Sequence, residues 1–192
     1  MKRMVAYTDG SFNGDVNVYG YACVVYSHDT GELTALYGGG NEEQWLDSRN
    51  VSGEVMAAIV AMKTAKEAGY DSLTIFHDYE GIAKWCTREW KTRKEISRLL
   101  LSFYDVYSLQ GLNINFVKVK GHSGDVYNTA ADKFANQGVT TFLAWKALHA
   151  NSHKSGVQRL PLNKTFVNDH PCVRDYCTLA ERGNASDIFL AN

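Results

Sequence analysis

The stretch Val117-Lys118-Val119-Lys120-Gly121-His122-Ser123-Gly124-Asp125, continued by Val126-Tyr127-Asn128-Thr129-Ala130-Ala131-Asp132-Lys133-Phe134-Ala135, decides how this chain is read. Leading into it, Leu112, Ile114 and Phe116 alternate with Asn113, Asn115 and Val117, the period-two pattern of a strand. Gly121 and Gly124 then bracket a lone histidine, so the strand is expected to end in a loop carrying the imidazole of His122. Asp125 stands where an N-cap belongs, and Tyr127, Ala130, Ala131, Phe134 and Ala135 recur at three- and four-residue spacing, the buried stripe of a helix. Asp132 lies beside that stripe. A carboxylate there needs solvent, a cation or a metal to receive it, because an unpaired charge is costly to bury.

Working outward, Arg3 to Tyr7 reads as a short apolar strand that ends at Thr8-Asp9-Gly10-Ser11, where the chain is expected to turn. An isolated Asp-Gly pair is by itself the composition of an Asx turn. Tyr19 to His28 and Leu33 to Gly38 read as two further strands, and three strands with no helix between them make an antiparallel meander. Asn41 to Asp47 reads as a polar loop after Gly38-Gly39-Gly40. Val55, Ala58, Ile59 and Met62 then mark a helix, capped by Asn50 or Ser52 and ended by Gly69, with Glu54 in its first turn. Ser72 to Phe76 is a β-branched strand followed at once by His77-Asp78, and two helices follow, marked by Ile82, Trp85 and Cys86 and by Ile96, Leu99, Leu100, Phe103 and Tyr107. The predicted architecture is α/β: a mixed five-stranded sheet, antiparallel meander plus parallel strands, flanked by helices. Parallel crossovers bring the ends of the first and fourth strands together, so Asp9 and Asp78 are expected side by side.

Four segments in order resemble the motifs of type 1 ribonuclease H: Tyr7-Thr8-Asp9-Gly10-Ser11, Asn50-Val51-Ser52-Gly53-Glu54, Phe76-His77-Asp78, and Lys120-Gly121-His122-Ser123-Gly124 with Asn128 and Asp132. The likeness spans roughly residues 4 to 137 and implies a ribonuclease H-like fold over residues 1–138, with residues 139–192 as an extension packed on it. It implies hydrolysis of the RNA strand of RNA–DNA hybrids. It further implies that Asp9, Glu54, Asp78 and Asp132 are the catalytic carboxylates and metal ligands, with Asp9 bridging two ions. His122 would assist the leaving 3′ oxygen or product release, with Asn128 helping to seat it or the scissile phosphate region. Asn50 and Ser52 are the side chains expected to form a DNA phosphate pocket.

Physical chemistry supports the same reading. Four clustered acids cannot all ionise without counter-charge, and oxygen-only donors suit two Mg²⁺ or Mn²⁺ ions, which favour in-line phosphodiester hydrolysis leaving 5′-phosphate and 3′-hydroxyl ends. Selecting RNA requires reading the 2′-hydroxyl, for which the backbone around Ser11 to Gly14, Asn13 and Glu54 are candidates. Between Lys84 and Arg98, six basic residues (Lys84, Arg88, Lys91, Arg93, Lys94, Arg98) stand against Glu89 and Glu95, interleaved with Trp85 and Trp90, a composition suited to a nucleic-acid strand. A DNA-cutting nuclease of the same fold and a non-catalytic hybrid-binding module are the competing readings.

A formal charge of −1 over 192 residues gives no global attraction to a polyanion, so any such contact must be local. No apolar run approaches the roughly 18 residues a membrane span needs, and no signal-peptide core follows Met1-Lys2-Arg3, so a cytoplasmic protein without a membrane partner is the expectation; with no obligate protein partner evident, a monomer is expected. Four cysteines read as reduced thiols. Cys172 and Cys177, with His149, His153 and His170 nearby, leave a zinc site open, although their spacing is not the commoner Cys-x2-Cys. The extension carries Phe142, Leu143, Trp145, Ala147 and Leu148, expected to prolong the Asp132 helix and lay an apolar face on the domain, followed by irregular chain around Pro161 and Pro171.

Overall fold

Strand β1 (Arg3–Asn13) sends Met4 and Ala6 to one face of a sheet and Val5 and Tyr7 to the other, and all four are buried. A strand covered on both faces lies at the centre of a three-layer molecule. The structure, a computed structural model, describes residues 1–121, 125–149 and 162–166. His122, the remainder of its loop, and the cysteines and histidines of the zinc question at 153, 170, 172 and 177 lie outside these residues.

β1 continues antiparallel into β2 (Val18–Ser27) and β2 into β3 (Leu33–Gly40), the expected meander. β4 (Ser72–His77) runs parallel to β1, and β5 (Asn113–Lys118) parallel to β4. The sheet has six strands in the order β5-β4-β1-β2-β3-β6, one more than expected. The additional strand, β6 (Leu162–Phe166), comes from the extension and pairs antiparallel with β3 from Thr34↔Phe166 to Gly38↔Leu162. Its five residues, next to Pro161, carry too little alternation to announce a strand; the exposed edge of β3 supplies the hydrogen-bond partners.

Helices cover both faces. α1 (Glu43–Leu46) is a single turn inside the segment expected to be a loop, and α2 (Asn50–Glu67) packs Val55, Ala58, Ile59 and Met62 against Met4, Ala6, Cys23 and Leu73. The start of α2 differs from expectation: the N-cap is Arg49, at φ 51°, with no side-chain cap. Ser52 sits too far inside the helix to cap it and bonds elsewhere. α3 (Gly81–Cys86) and α4 (Glu95–Leu109) extend the same layer. On the opposite face α5 (Val126–His149) lays Tyr127, Ala130, Ala131, Phe134 and Ala135 against Val5, Tyr7, Val24 and Phe76, the stripe read from the sequence. Asp125 caps it, its Oδ1 accepting from the backbone N–H of Tyr127 at 3.0 Å and of Asn128 at 2.9 Å.

The boundary expected at 138 falls inside α5, which runs unbroken to His149. Val139 and Phe142 are buried beside Val18, with Leu143 and Trp145 packed against them, whereas Ala147 and Leu148 face solvent. No described helix is long and apolar enough to cross a membrane.

Candidate active site

Asp9 does not stand at a strand end, as its Asp-Gly sequence suggests. β1 runs on to Asn13, with Asp9 paired to Ala22 and Gly10 to Tyr21 on β2. What ends near Asp9 is the parallel ladder with β4, whose last pair is Tyr7↔Phe76. Strand alternation then puts Asp9 on the same face as Tyr7, and Asp78, one residue past β4, on the same face as Phe76. The rings of Tyr7 and Phe76 stack at 4.5 Å, and Tyr127 leans on Tyr7 at 5.4 Å. The carboxylates therefore project beyond an aromatic floor where two parallel strands part.

Glu54 reaches this point because α2 approaches β1 without an intervening side chain. A Cβ on Gly10 would collide with the backbone nitrogen of Glu54 and the carbonyl of Asn50, so glycine is what allows the first turn of α2 to lie directly on the strand. One carboxylate oxygen from each of Asp9, Glu54 and Asp78 lies within 4.8 Å of the others. Asp9 is 7% exposed and Glu54 3%, and Glu54 Oε2 is buried with no hydrogen-bond partner among the described residues. Burial, and then the charge of Asp78, push the Asp9 carboxyl up to about 7, against the lowering effect of the Gly10 N–H that donates to its Oδ1 at 2.7 Å. Burial, and then Asp9 and Asp78, raise Glu54 well above the usual carboxylate range. Three oxygen donors that repel one another in a buried cleft, one of them unsatisfied, form a site that can hold a hard divalent cation.

Asp132, on α5, is half-buried and lies outside that group of three, yet near enough for its charge to raise Asp9 further. Asn128, one turn earlier, is 4% exposed, its Oδ1 without a partner among the described residues. The loop that carries His122 leaves from Gly121, which is packed so closely on Asp78 that a Cβ would stand 2.6 Å from Asp78 Oδ2.

The expected substrate-binding residues divide. Ser52 is fully buried and its hydroxyl donates to the Trp45 carbonyl at 2.7 Å, so its side chain does not reach the surface where a phosphate pocket was expected. Asn50 is exposed and borders a hollow of about 360 Å³ with Arg49, Tyr79, Trp85, Lys91 and Lys94. Asn13 is exposed, its Oδ1 accepting from the Asp15 N–H at 3.0 Å in the β1–β2 turn. Ser11 donates to Asn136 Oδ1 at 2.7 Å. Trp90, 40% exposed, meets Trp85 edge-on at 6.4 Å, and Lys84 Nζ lies 5.1 Å from the Trp90 ring centre.

The basic surplus of this region is smaller than its composition indicates. Lys84 pairs with Glu80 at 2.9 Å, Arg88 with Asp105 at 2.7 Å and Lys94 with Asp47 at 3.1 Å, all acids from outside the segment. Lys118 also holds Glu80 at 2.9 Å, and the two lysines bring that carboxyl down to about 2. Sequence reading missed these pairs, Asn136, and the buried His77, whose Nδ1 meets the Tyr79 carbonyl at 3.0 Å. Two of these had a local signal: Asn136 stands four residues after Asp132, and Lys84 four residues after Glu80.

The family model described as RNase H matches residues 1–140. The chain belongs to the ribonuclease H family. It is 32% identical to a ribonuclease H of Alcanivorax borkumensis over 72% of this chain and 93% of that protein. The crystal structure of a ribonuclease H1 from the halophilic archaeon Halobacterium salinarum matches with a TM-score of 0.56 at 26% identity, covering 72% of this chain and 98% of that one. A ribonuclease H1 solved in complex with an RNA/DNA hybrid shares the fold with a TM-score of 0.58 at 19% identity, covering 73% of this chain and 99% of that one. As a family member this ribonuclease H is a hydrolase, and its extension from residue 141 onward lies beyond the family match.

Proposed function

We propose that this ribonuclease H is an endonuclease that hydrolyses the RNA strand of RNA–DNA hybrids in the presence of divalent cations, leaving 5′-phosphate and 3′-hydroxyl ends. The observation that carries the reading is the convergence of Asp9, Glu54 and Asp78 within 4.8 Å, with Glu54 Oε2 buried and without a hydrogen-bond partner among the described residues. The donor set fits Mg²⁺ or Mn²⁺: every candidate ligand is a carboxylate oxygen, and the acids lack any cationic side chain as a hydrogen-bond partner among the described residues. Asp9, Glu54 and Asp78 would hold such ions, with Asp132 completing the site from α5. When bound, two such ions lower the pKa of an attacking water and stabilise the departing oxygen of an in-line displacement.

The remaining roles belong to the chain. Without a cation, burial and mutual repulsion favour the protonated forms of Asp9 and Glu54; a bound cation would favour the ionised forms that serve as ligands. The stacked Tyr7 and Phe76 exclude water from the sheet side of the site, so charge at the carboxylates acts through a less polar medium. His122 is assigned the proton at the 3′ oxygen, or help in releasing the product phosphate. Glu54, with the backbone beyond Asp9, is assigned to the 2′-hydroxyl. The DNA strand is assigned to the surface bearing Asn50, Lys91, Trp85 and Trp90, where Lys91 has no ion-pair partner among the described residues.

The test is a strand-labelled hybrid incubated with and without Mg²⁺ or Mn²⁺. Cleavage confined to the RNA strand, dependent on the metal and ending in 3′-hydroxyl, is expected. Cyclic or 3′-phosphate ends would make the 2′-hydroxyl the nucleophile and reject the mechanism. Equal cutting of duplex DNA would reject the substrate.

A further inference from the structure

We propose that Asn136 is a positioning residue for Asp132, tying that carboxylate to β1 and so setting its place opposite Asp9; the inference rests on the metal-dependent reading above. The Asn136 Nδ2 donates to Asp132 Oδ1 at 3.2 Å and to the Asp132 carbonyl at 2.9 Å, while its Oδ1 accepts from the Ser11 hydroxyl at 2.7 Å. The bond to the carbonyl is the ordinary habit of a polar side chain one helical turn along. The other two are not. They join a carboxylate on α5 to the strand that carries Asp9, and Ser11, two residues past Asp9, lies on the same face of that strand.

The chemistry of the amide suits this work. Asp132 has no lysine or arginine within ion-pair distance among the described residues, so a neutral donor holds it. A neutral donor orients one carboxylate oxygen and leaves the negative charge available to a cation, which a bound ammonium would offset. Both ends of the amide are engaged, and its plane is therefore fixed between strand and helix. Asp132 stands outside the three-carboxylate group, and its position relative to Asp9 depends on how α5 packs on β1. A link from Ser11 to Asp132 narrows that dependence from the whole helix–sheet interface to a single side chain.

The test is Mn²⁺ binding to the metal-free full chain by calorimetry, together with the metal dependence of hybrid cleavage, for the parent and for Asn136→Ala. Loss of an outer partner of a metal ligand typically costs 10–100-fold in affinity, and for an exposed residue such as Asn136 a weakening of about 10-fold is expected. The half-saturating metal concentration for cleavage should rise by the same factor, with kcat recovering and the KM for hybrid unchanged at saturating metal. Asn136→Leu, near in volume and equally unable to donate, should reproduce the effect if Asn136→Ala folds poorly. Unchanged Mn²⁺ affinity and metal dependence in both variants, with only a lower Tm, would mean that the bridge merely pins α5, and would overturn the proposal. Failure of the parent to cleave hybrid while it still binds Mn²⁺ would instead remove the functional reading, and the affinity difference would continue to judge Asn136.

Discussion

The two halves of β1 differ in one respect from which most of the rest follows. From Met4 to Tyr7 the strand has β2 on one side and β4 on the other; from Thr8 to Asn13 it has β2 alone. The enclosed half is apolar and locked on both faces by α2 and α5. In the open half the same alternation presents Asp9 and Ser11 where β4 has ended, and Asp78 and Glu54 enter the space left. A parallel ladder supplies rigidity up to its last pair, and just past that pair it supplies room for charge without loss of a fixed backbone. The first half is thus expected to be sensitive to volume and the second to charge.

The largest effect should come from Asp78→Asn, which removes a charge from the open half. Turnover on hybrid should be abolished, while the metal-free protein melts higher, because each kcal/mol of relieved repulsion raises Tm by about 2–4 °C for a chain of this size. The pH dependence has a definite sign. Asp9, raised from 3.8 to about 7, binds a proton in the folded state that the unfolded chain has already released. Metal-free stability is therefore fullest below about pH 4 as far as this group is concerned, and declines as pH rises through about 7. Thermal melts in chelator should show a shallower decline for Asp78→Asn, since the second cause of the Asp9 shift is gone. Equal slopes would break the link between charge and the open half.

His122→Ala comes next. Loss of an assisting acid or base typically costs about 10²–10⁴-fold, less than loss of a carboxylate from the metal site, and steady-state cleavage rates measure it. A loss as complete as that of Asp78→Asn would make His122 indispensable and require its role to be reassigned.

Ile75→Ala probes the closed half, at a fully buried position paired with Ala6. A loss of about 2–5 kcal/mol in denaturant unfolding is expected, with turnover per folded molecule retained. Lost turnover with unchanged stability would erase the contrast between the halves.

The smallest effect belongs to the other end of the sheet. A chain ending at Asn151 loses β6 and uncovers the β3 edge from Thr34 to Gly38. It should melt lower and self-associate more readily, since an unpaired edge invites strand pairing, while keeping metal-dependent cleavage. Light scattering and the strand-labelled assay check both. Loss of turnover with intact folding would place the extension in the chemistry.

Taken alone, the sequence determined the order of the first five strands and of every helix among them longer than the single turn α1, the cap at Asp125 and the helix end at Gly69. All of these follow from periodicity and from bonds that reach a few residues along the chain, and such rules are written locally. Tertiary structure alone decided what distant segments do to one another. It carried β1 past Asp9, buried the hydroxyl of Ser52, matched Arg88 and Lys94 with Asp105 and Asp47 and brought Lys118 to Glu80, added β6 to the sheet, and set Asn136 between Ser11 and Asp132. The reason is the reach of the forces concerned: a charge or an unpaired strand edge is satisfied by whatever partner the fold brings within a few ångströms, and for most of these groups that partner is many residues away in sequence.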